Sequence, residues 1–208
     1  MSTVREPKQE RAIQKKIKII EAGYKLFSEV GYYNTNTAEI AKCAGVSTGI
    51  VYGYFKDKRD ILFEVLDMYM DNVYQPILEY FDSLTSPLDF KKIVPDILDE
   101  AIKIHQRFAK IHEALHSLTP TDKKINDRFL ELEDDITYEI ADRFDKLNYK
   151  LDNKYEKIHF IMNIVQSFSH EVVYDKHKYI DYEKLRDLVI STITHVLVID
   201  GNKLNYEK

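Results

Sequence analysis

From Ile13 onward, apolar residues return at steps of three and four. Ile13, Ile17, Ile20, Tyr24 and Phe27 fall on one helical face, with Lys15, Lys16, Lys18 and Lys25 mostly outside it. Gly31 stands where a left-handed C-cap would end that helix. Asn36 is placed to cap a second helix, with Glu39 three residues on to close a capping box and Ile40, Ala41 and Ala44 as its buried face. Gly45 stops this short helix, and Ser47 caps a third that runs through Ile50, Val51 and Tyr54. Two short helices joined by a tight glycine-containing turn are the pattern of a helix-turn-helix.

The periodicity continues to the C-terminus. Asp57 can cap a fourth helix whose face includes Ile61, Val65, Leu66, Tyr69 and Val73. Pro76 lacks an amide donor and clashes one turn back, so it is expected to kink or end that helix. Thr85-Ser86-Pro87 reads as a break, followed by helix to about Leu118 with Pro95 and residues 106–108 as interruptions. After a second break at 119–122, Ile125, Phe129, Leu132, Ile136, Ile140, Phe144 and Leu147 mark a long amphipathic helix. Two last helices are expected at about 153–174 and 181–199, both with broad apolar faces. The fold class is therefore all-α, about nine helices, with no internal repeat.

Composition agrees. Six Gly and five Pro in 208 residues are too few for a turn-rich all-β fold. The single cysteine, Cys43, excludes an internal disulfide and fits a reducing compartment. The charged N-terminus has no apolar segment of signal-peptide type, and the most apolar run, 189–199, is too short to span a membrane. A cytoplasmic location with no membrane partner is expected. The net charge of −5 is unevenly distributed. Residues 1–60 carry 11 Lys and Arg against 7 Asp and Glu, whereas residues 61–208 carry 19 against 28. A basic head on an acidic body suits a chain that meets phosphate at one end, although uneven surface charge would give the same numbers.

The run from Gly31 carries the most specific information: GYYNTNTAEIAKCAGVSTGIVYGYFKDKRDIL. It resembles the TetR/AcrR family of bacterial repressors at Gly31-Tyr32, Thr35 to Thr37, Ile40-Ala41, Ala44-Gly45-Val46-Ser47, Gly49, Tyr52, Tyr54-Phe55 and Lys58. With the preceding Ile-rich helix, the matched stretch covers roughly a quarter of the chain. The resemblance implies a three-helix DNA-binding domain at 1–58 and a ligand-binding and dimerisation bundle at 59–208. It also implies a homodimer paired through the last two helices and a repressor bound to a palindromic double-stranded DNA operator. A small molecule would release it, with no cofactor and no enzymatic activity. The aromatic content, 15 Tyr and 10 Phe, points to a hydrophobic or aromatic ligand, though aromatic residues at helical spacing also build cores.

The residue chemistry of the motif leads the same way. A recognition helix presents its N-terminal residues to base edges in the major groove. Ser47, Thr48 and Gly49 are small enough for close approach, and Tyr52 lies about one turn after Thr48, where it can meet a thymine methyl or a phosphate. Tyr54 and Lys58 would grip the DNA backbone as the corresponding positions do in the family, although Tyr54 could simply pack. Phe55 is expected in the core. Asn36 and Thr37, at the start of the second helix, would flank the site, Thr37 as a phosphate contact. Gly53 departs from the larger residue common in relatives, which shifts base readout towards Thr48 and Tyr52. Arg5, Lys8 and Arg11 form an N-terminal arm that could add contacts or be a plain tail.

A competing pattern lies in the bundle. His112-Glu113-Ala114-Leu115-His116 is formally HExxH, with His105 two turns earlier and Glu131 or Glu133 as nominal third ligands. So short a pattern carries little information, and the resemblance assigns this region to the ligand-binding bundle, so no metal is expected. Tyr69, His105, Phe108, His112, Phe160 and Ile164 are the candidate pocket lining. The alternatives are a constitutive DNA-binding dimer without an inducer and a zinc hydrolase.

Overall fold

The computed structural model describes residues 6–198, with side chains from Glu10 onward. Nine α-helices and no strand occur among the described residues: α1 Glu6–Glu29, α2 Thr37–Ala44, α3 Thr48–Tyr54, α4 Lys58–Asp82, α5 Phe90–Arg107, α6 Ala109–His116, α7 Lys123–Lys146, α8 Lys154–Tyr174 and α9 Tyr182–Val198. Arg5 of the candidate arm and Ile199 of the last expected helix lie outside the described residues, as does the side chain of Lys8.

The expected caps form. Gly31 and Gly45 both adopt positive φ, at 89° and 67°, which a side chain would strain. Asn36 accepts from the amides of Ala38 and Glu39 while Glu39 reaches back to the Asn36 amide at 2.9 Å, so the capping box is complete. Asp57 Oδ1 accepts from Arg59 and Asp60 at the start of α4. The break at 106–108 also appears, since α5 ends at Arg107 and α6 starts at Ala109.

Two expectations need correction. α4 does not end at Pro76 but runs on to Asp82, and α5 likewise contains Pro95. Each proline removes one amide donor from the helix ladder, and the residues one turn before it, Asn72 and Lys91, are exposed. In α1, Ile13 and Ile17 are exposed rather than buried, and burial begins with Ile19 and Ile20. Only from there on does α1 have neighbours that shield its apolar side.

The chain divides into two compact units. One comprises the described residues up to Asp71 together with Ala109–Leu130, and the other Asn72–Phe108 with the described residues from Glu131 on. In the first, α1 packs on α2 and α6, and α2 on α3, around Phe27, Ile40, Val51, Phe55, Ile61 and Leu66. In the second, α5, α8 and α9 pack together around Leu98, Phe144, Ile158, Phe168 and Ile193.

Gly23 sets how closely α1 and α4 approach in the first unit. A Cβ there would stand 2.7 Å from Ile61 Cγ2 and 3.3 Å from Val65 Cγ2, and both of those side chains are fully buried. Gly23→Ala should gain about 1 kcal/mol of helix propensity and lose more than that to overpacking, typically about 1–3 kcal/mol. Urea unfolding is expected to show a net destabilised variant; a more stable one would mean that α1 and α4 can separate freely.

Candidate nucleic-acid interface

α2 and α3 have only eight and seven residues, too few to hold a helix alone in water. Ile40, Ala41 and Val51 are buried with Phe55 just past the end of α3, as expected, whereas Ala44, expected on the same buried face, is only half-buried beside the Gly45 turn. The outward residues form a continuous face. Gly49, Tyr52 and Gly53 are exposed, Tyr52 to 55%, and Thr48 and Tyr54 are half-buried beside them. The Tyr52 hydroxyl lies 3.0 Å from Thr37 Oγ1, so a single hydrogen bond ties the face of α3 to the start of α2. Ser47 caps α3, accepting from the Ile50 amide at 3.4 Å.

The two glycines on this face have no internal reason to be glycine. Gly49 and Gly53 lie within a regular helix and do not need positive φ. A Cβ at Gly53 would meet nothing within 4 Å, and one at Gly49 only Ser47 Oγ at 4.0 Å. Glycine costs about 1 kcal/mol relative to alanine in a helix, so a helix of seven residues gives up stability to keep this face low. What the arrangement offers is a shallow surface with hydroxyls at 37, 48 and 52, open to a partner's backbone.

The sequence-predicted residues have several surroundings. Asn36 is exposed, but its side chain is engaged in the capping box. Tyr54 leans towards the buried Phe55 ring, with centroids 6.5 Å apart. Lys58 turns inward: its ammonium donates to the carbonyls of Tyr32 at 2.6 Å and Thr35 at 2.7 Å and sits 4.1 Å from the centre of the Tyr32 ring. Burial lowers its pKa, while the nearby Glu39 carboxylate raises it. Tyr32 and Thr35 were not singled out as partners of Lys58, and no local periodicity could link positions 23 and 26 residues apart. Gly23 was also missed, although an isolated glycine inside a helical pattern is itself a sign of close packing.

The candidate pocket residues are divided between the two units. In the first unit, the Tyr69 hydroxyl and His112 Nδ1 form a buried hydrogen bond of 2.6 Å, and the His116 ring stands between those of His112 and Phe129. In the second, His105 Nδ1 pairs with the Ala101 carbonyl at 2.8 Å, and the His105 carbonyl accepts from the Tyr174 hydroxyl. Burial lowers the His105 pKa against the raising effect of the Ala101 carbonyl, and His170 lowers it further. Phe108 caps the end of α5, Ile164 packs against the second core, and Phe160 is exposed. Among the described residues no group of three His, Cys, Asp or Glu side chains is placed to hold a metal ion. No helix among them is long and apolar enough to cross a membrane.

A short helix capped by a serine, its inner side in a core and its outer side bare, joined by a glycine turn to a second short helix, defines a helix-turn-helix DNA-binding head. Residues 19–65 match the family described as "Bacterial regulatory proteins, tetR family". Over 90 residues the chain is 47% identical to the HTH-type transcriptional regulator HbdR of Aromatoleum sp. (strain CIB), a match covering 42% of this chain and 38% of that one. The chain spans less than half the length of such curated relatives. A crystal structure assigned to the TetR family, from Mesorhizobium loti MAFF303099, covers 91% of this chain and 98% of its own with a TM-score of 0.74 and 18% identity. A transcriptional regulator from Saccharomonospora viridis, solved in complex with choline, covers 86% of this chain and 95% of its own with a TM-score of 0.60 and 17% identity. At these identities the likeness is one of fold. The proteins matched are named as transcriptional regulators, not as enzymes.

Lys58 permits a clean test of its role. Lys58→Met removes the donor from two carbonyls and should destabilise the free protein by about 1–2 kcal/mol. Thermal or urea unfolding in the absence of DNA measures this. Unchanged stability would show that the lysine serves only an external contact.

Proposed function

We propose that the chain is a homodimeric transcriptional repressor whose residues 1–58 read a palindromic operator and whose residues 59–208 form the ligand-binding and dimerisation part. The observation that carries this reading is the bare face of α3, where Gly49, Tyr52 and Gly53 are exposed and the glycines have no internal steric role. Major-groove readout needs backbone approach at the start of a recognition helix, with a few side chains reaching base edges. On this reading Thr48 and Tyr52 contact bases, Thr37 and Tyr54 contact phosphates, and Ser47 and Asn36 hold the two helix starts that face the DNA. Lys58 acts mainly by fixing the turn before α2.

One seven-residue helix reads few base pairs, so two-fold pairing is what makes a palindromic site long enough to be specific. The apolar residues left exposed on the last two helices, Phe160 at 49% and Leu188 at 61%, support pairing through α8 and α9. Release would follow from a small molecule that binds the DNA-incompetent arrangement more tightly and shifts the population towards it. The choline held by one protein of this fold supports a small-molecule site in the bundle. The site of action is then the cytoplasm, on the nucleoid when DNA is bound.

The steric form of this claim is testable. Gly49→Leu places a side chain in open space, so the variant should fold and dimerise as the wild type does. On an operator selected from random duplexes by the wild-type protein, it should lose at least about tenfold in affinity, the effect of roughly one lost bidentate base contact or more. Gel-shift titration beside sedimentation analysis reads both properties. Unchanged operator affinity in a dimeric Gly49→Leu protein would overturn the assignment of the DNA face.

A further inference from the structure

Three cations stand where α3 gives way to α4, and two of them are engaged inside the protein. Lys58 donates to the carbonyls of Tyr32 and Thr35. Arg59 Nη2 is paired with Asp122 Oδ1. Lys16 reaches the same corner from α1, where it pairs with Glu64 at 2.7 Å and stands 5.8 Å from the centre of the Phe55 ring. Lys56 differs from all of these. Its side chain is exposed, and no hydrogen bond or ion pair joins its ammonium to another described residue.

The backbone of Lys56, by contrast, is held from both sides. Phe55 is buried, and its amide donates to the Val51 carbonyl at 2.9 Å, so α3 ends at a fixed point. The Lys56 amide then donates to Asp60 Oδ2 at 2.9 Å. Asp57 Oδ1 accepts from the amides of Arg59 and Asp60 at 2.8 and 3.1 Å. The two carboxylates nearest Lys56 in the chain therefore serve backbone amides at the start of α4 and do not pair with the ammonium. A free positive charge on a fixed base follows directly after Tyr52 and Gly53, the exposed residues of α3.

A solvated lysine with no internal partner adds little to folding. What it offers is a charge for an anion, and the anion beside a recognition helix in the major groove is the phosphate of the DNA backbone. We propose that Lys56, and not Lys58, is the cation that grips the operator backbone beside α3, one phosphate in each half-site. This inference rests on the DNA face proposed above and names the residue that anchors it. An outward turn of Lys58 would take a donor from the carbonyls of Tyr32 and Thr35, and Thr35 is buried. Lys56 can meet a phosphate without breaking any internal contact.

A phosphate contact carries no sequence information and releases counterions, so it is read in the salt dependence of binding. The test uses the full-length protein, the operator selected by the wild type and an unrelated duplex. Each phosphate contact adds about 0.9 to the slope of log affinity against log salt concentration. Lys56→Gln should lower that slope by about 2 in the dimer and weaken both duplexes by the same factor, about tenfold or more at about 0.1 M salt. Lys56→Arg, which keeps the charge, should retain the slope. Lys92→Gln makes the same charge change at an exposed position of α5 and should leave the slope as it is. Without DNA, urea unfolding of Lys56→Gln should match the wild type; a destabilised variant would reveal an internal partner and overturn the inference. An unchanged slope in Lys56→Gln, an equal drop in Lys92→Gln, or a drop in Lys58→Met that Lys56→Gln does not share also overturns it. A loss confined to the operator would make Lys56 a base reader and contradict the phosphate contact. Gly49→Leu separates the two claims. Weakened operator binding in Gly49→Leu with an unchanged slope in Lys56→Gln removes the anchor and leaves the DNA face standing. Unchanged binding in both variants removes the two together.

Discussion

The Lys58 ammonium is the interaction on which the DNA-binding head depends. Between α1 and α2 the chain turns through Gly31 to Thr35, and there the carbonyls of Tyr32, which also accepts from the Thr35 amide at 3.3 Å, and of Thr35 meet the Lys58 ammonium. One lysine from the first turn of α4 satisfies both and lies against the Tyr32 ring. That contact fixes where α2 starts relative to α4. Buried Val51 and Phe55 and the Tyr52–Thr37 hydroxyl pair then fix α3 against the same frame. Gly23 fixes the remaining dimension by letting α1 approach Ile61 and Val65 of α4. Helices of seven and eight residues have little stability of their own, so a frame of long helices has to position them.

Such a frame lets the outer face of α3 depart from what folding alone would favour. Two exposed glycines in seven residues and an exposed tyrosine lower helix propensity and bury nothing. The Ser47 cap and the complete capping box of Asn36 and Glu39 offset part of that cost at the helix starts, each worth about 1 kcal/mol. Stability therefore resides in α1, α4 and the caps, and the reading face is left to meet a partner.

Much of this could be read from the sequence because it is local. The caps at Asn36, Ser47 and Asp57, the positive-φ glycines Gly31 and Gly45, and the buried faces of α2 and α3 follow from residues at most four positions apart. What escaped was non-local. The inward turn of Lys58 depends on carbonyls 23 and 26 residues away, and the role of Gly23 depends on side chains of another helix. Pro76 and Pro95 misled because the cost of a helical proline depends on whether the freed carbonyl reaches water, which the pattern does not record. The exposed start of α1 misled for a related reason: periodicity shows which face is apolar, not whether another element covers it. In the bundle, helical spacing shows which positions face inward but not which of them meet one another.

The central claim is that the exposed face of α3 is the surface that meets DNA. Tyrosine-directed radical footprinting of the free and operator-bound protein, read by mass spectrometry, tests it most directly. Tyr52, Tyr138 and Tyr179 are 55%, 60% and 81% exposed in the free chain, so all three should react. If the face of α3 meets DNA, the operator protects Tyr52 strongly and leaves Tyr138 and Tyr179 unchanged. Full reactivity of Tyr52 in the DNA complex would contradict it.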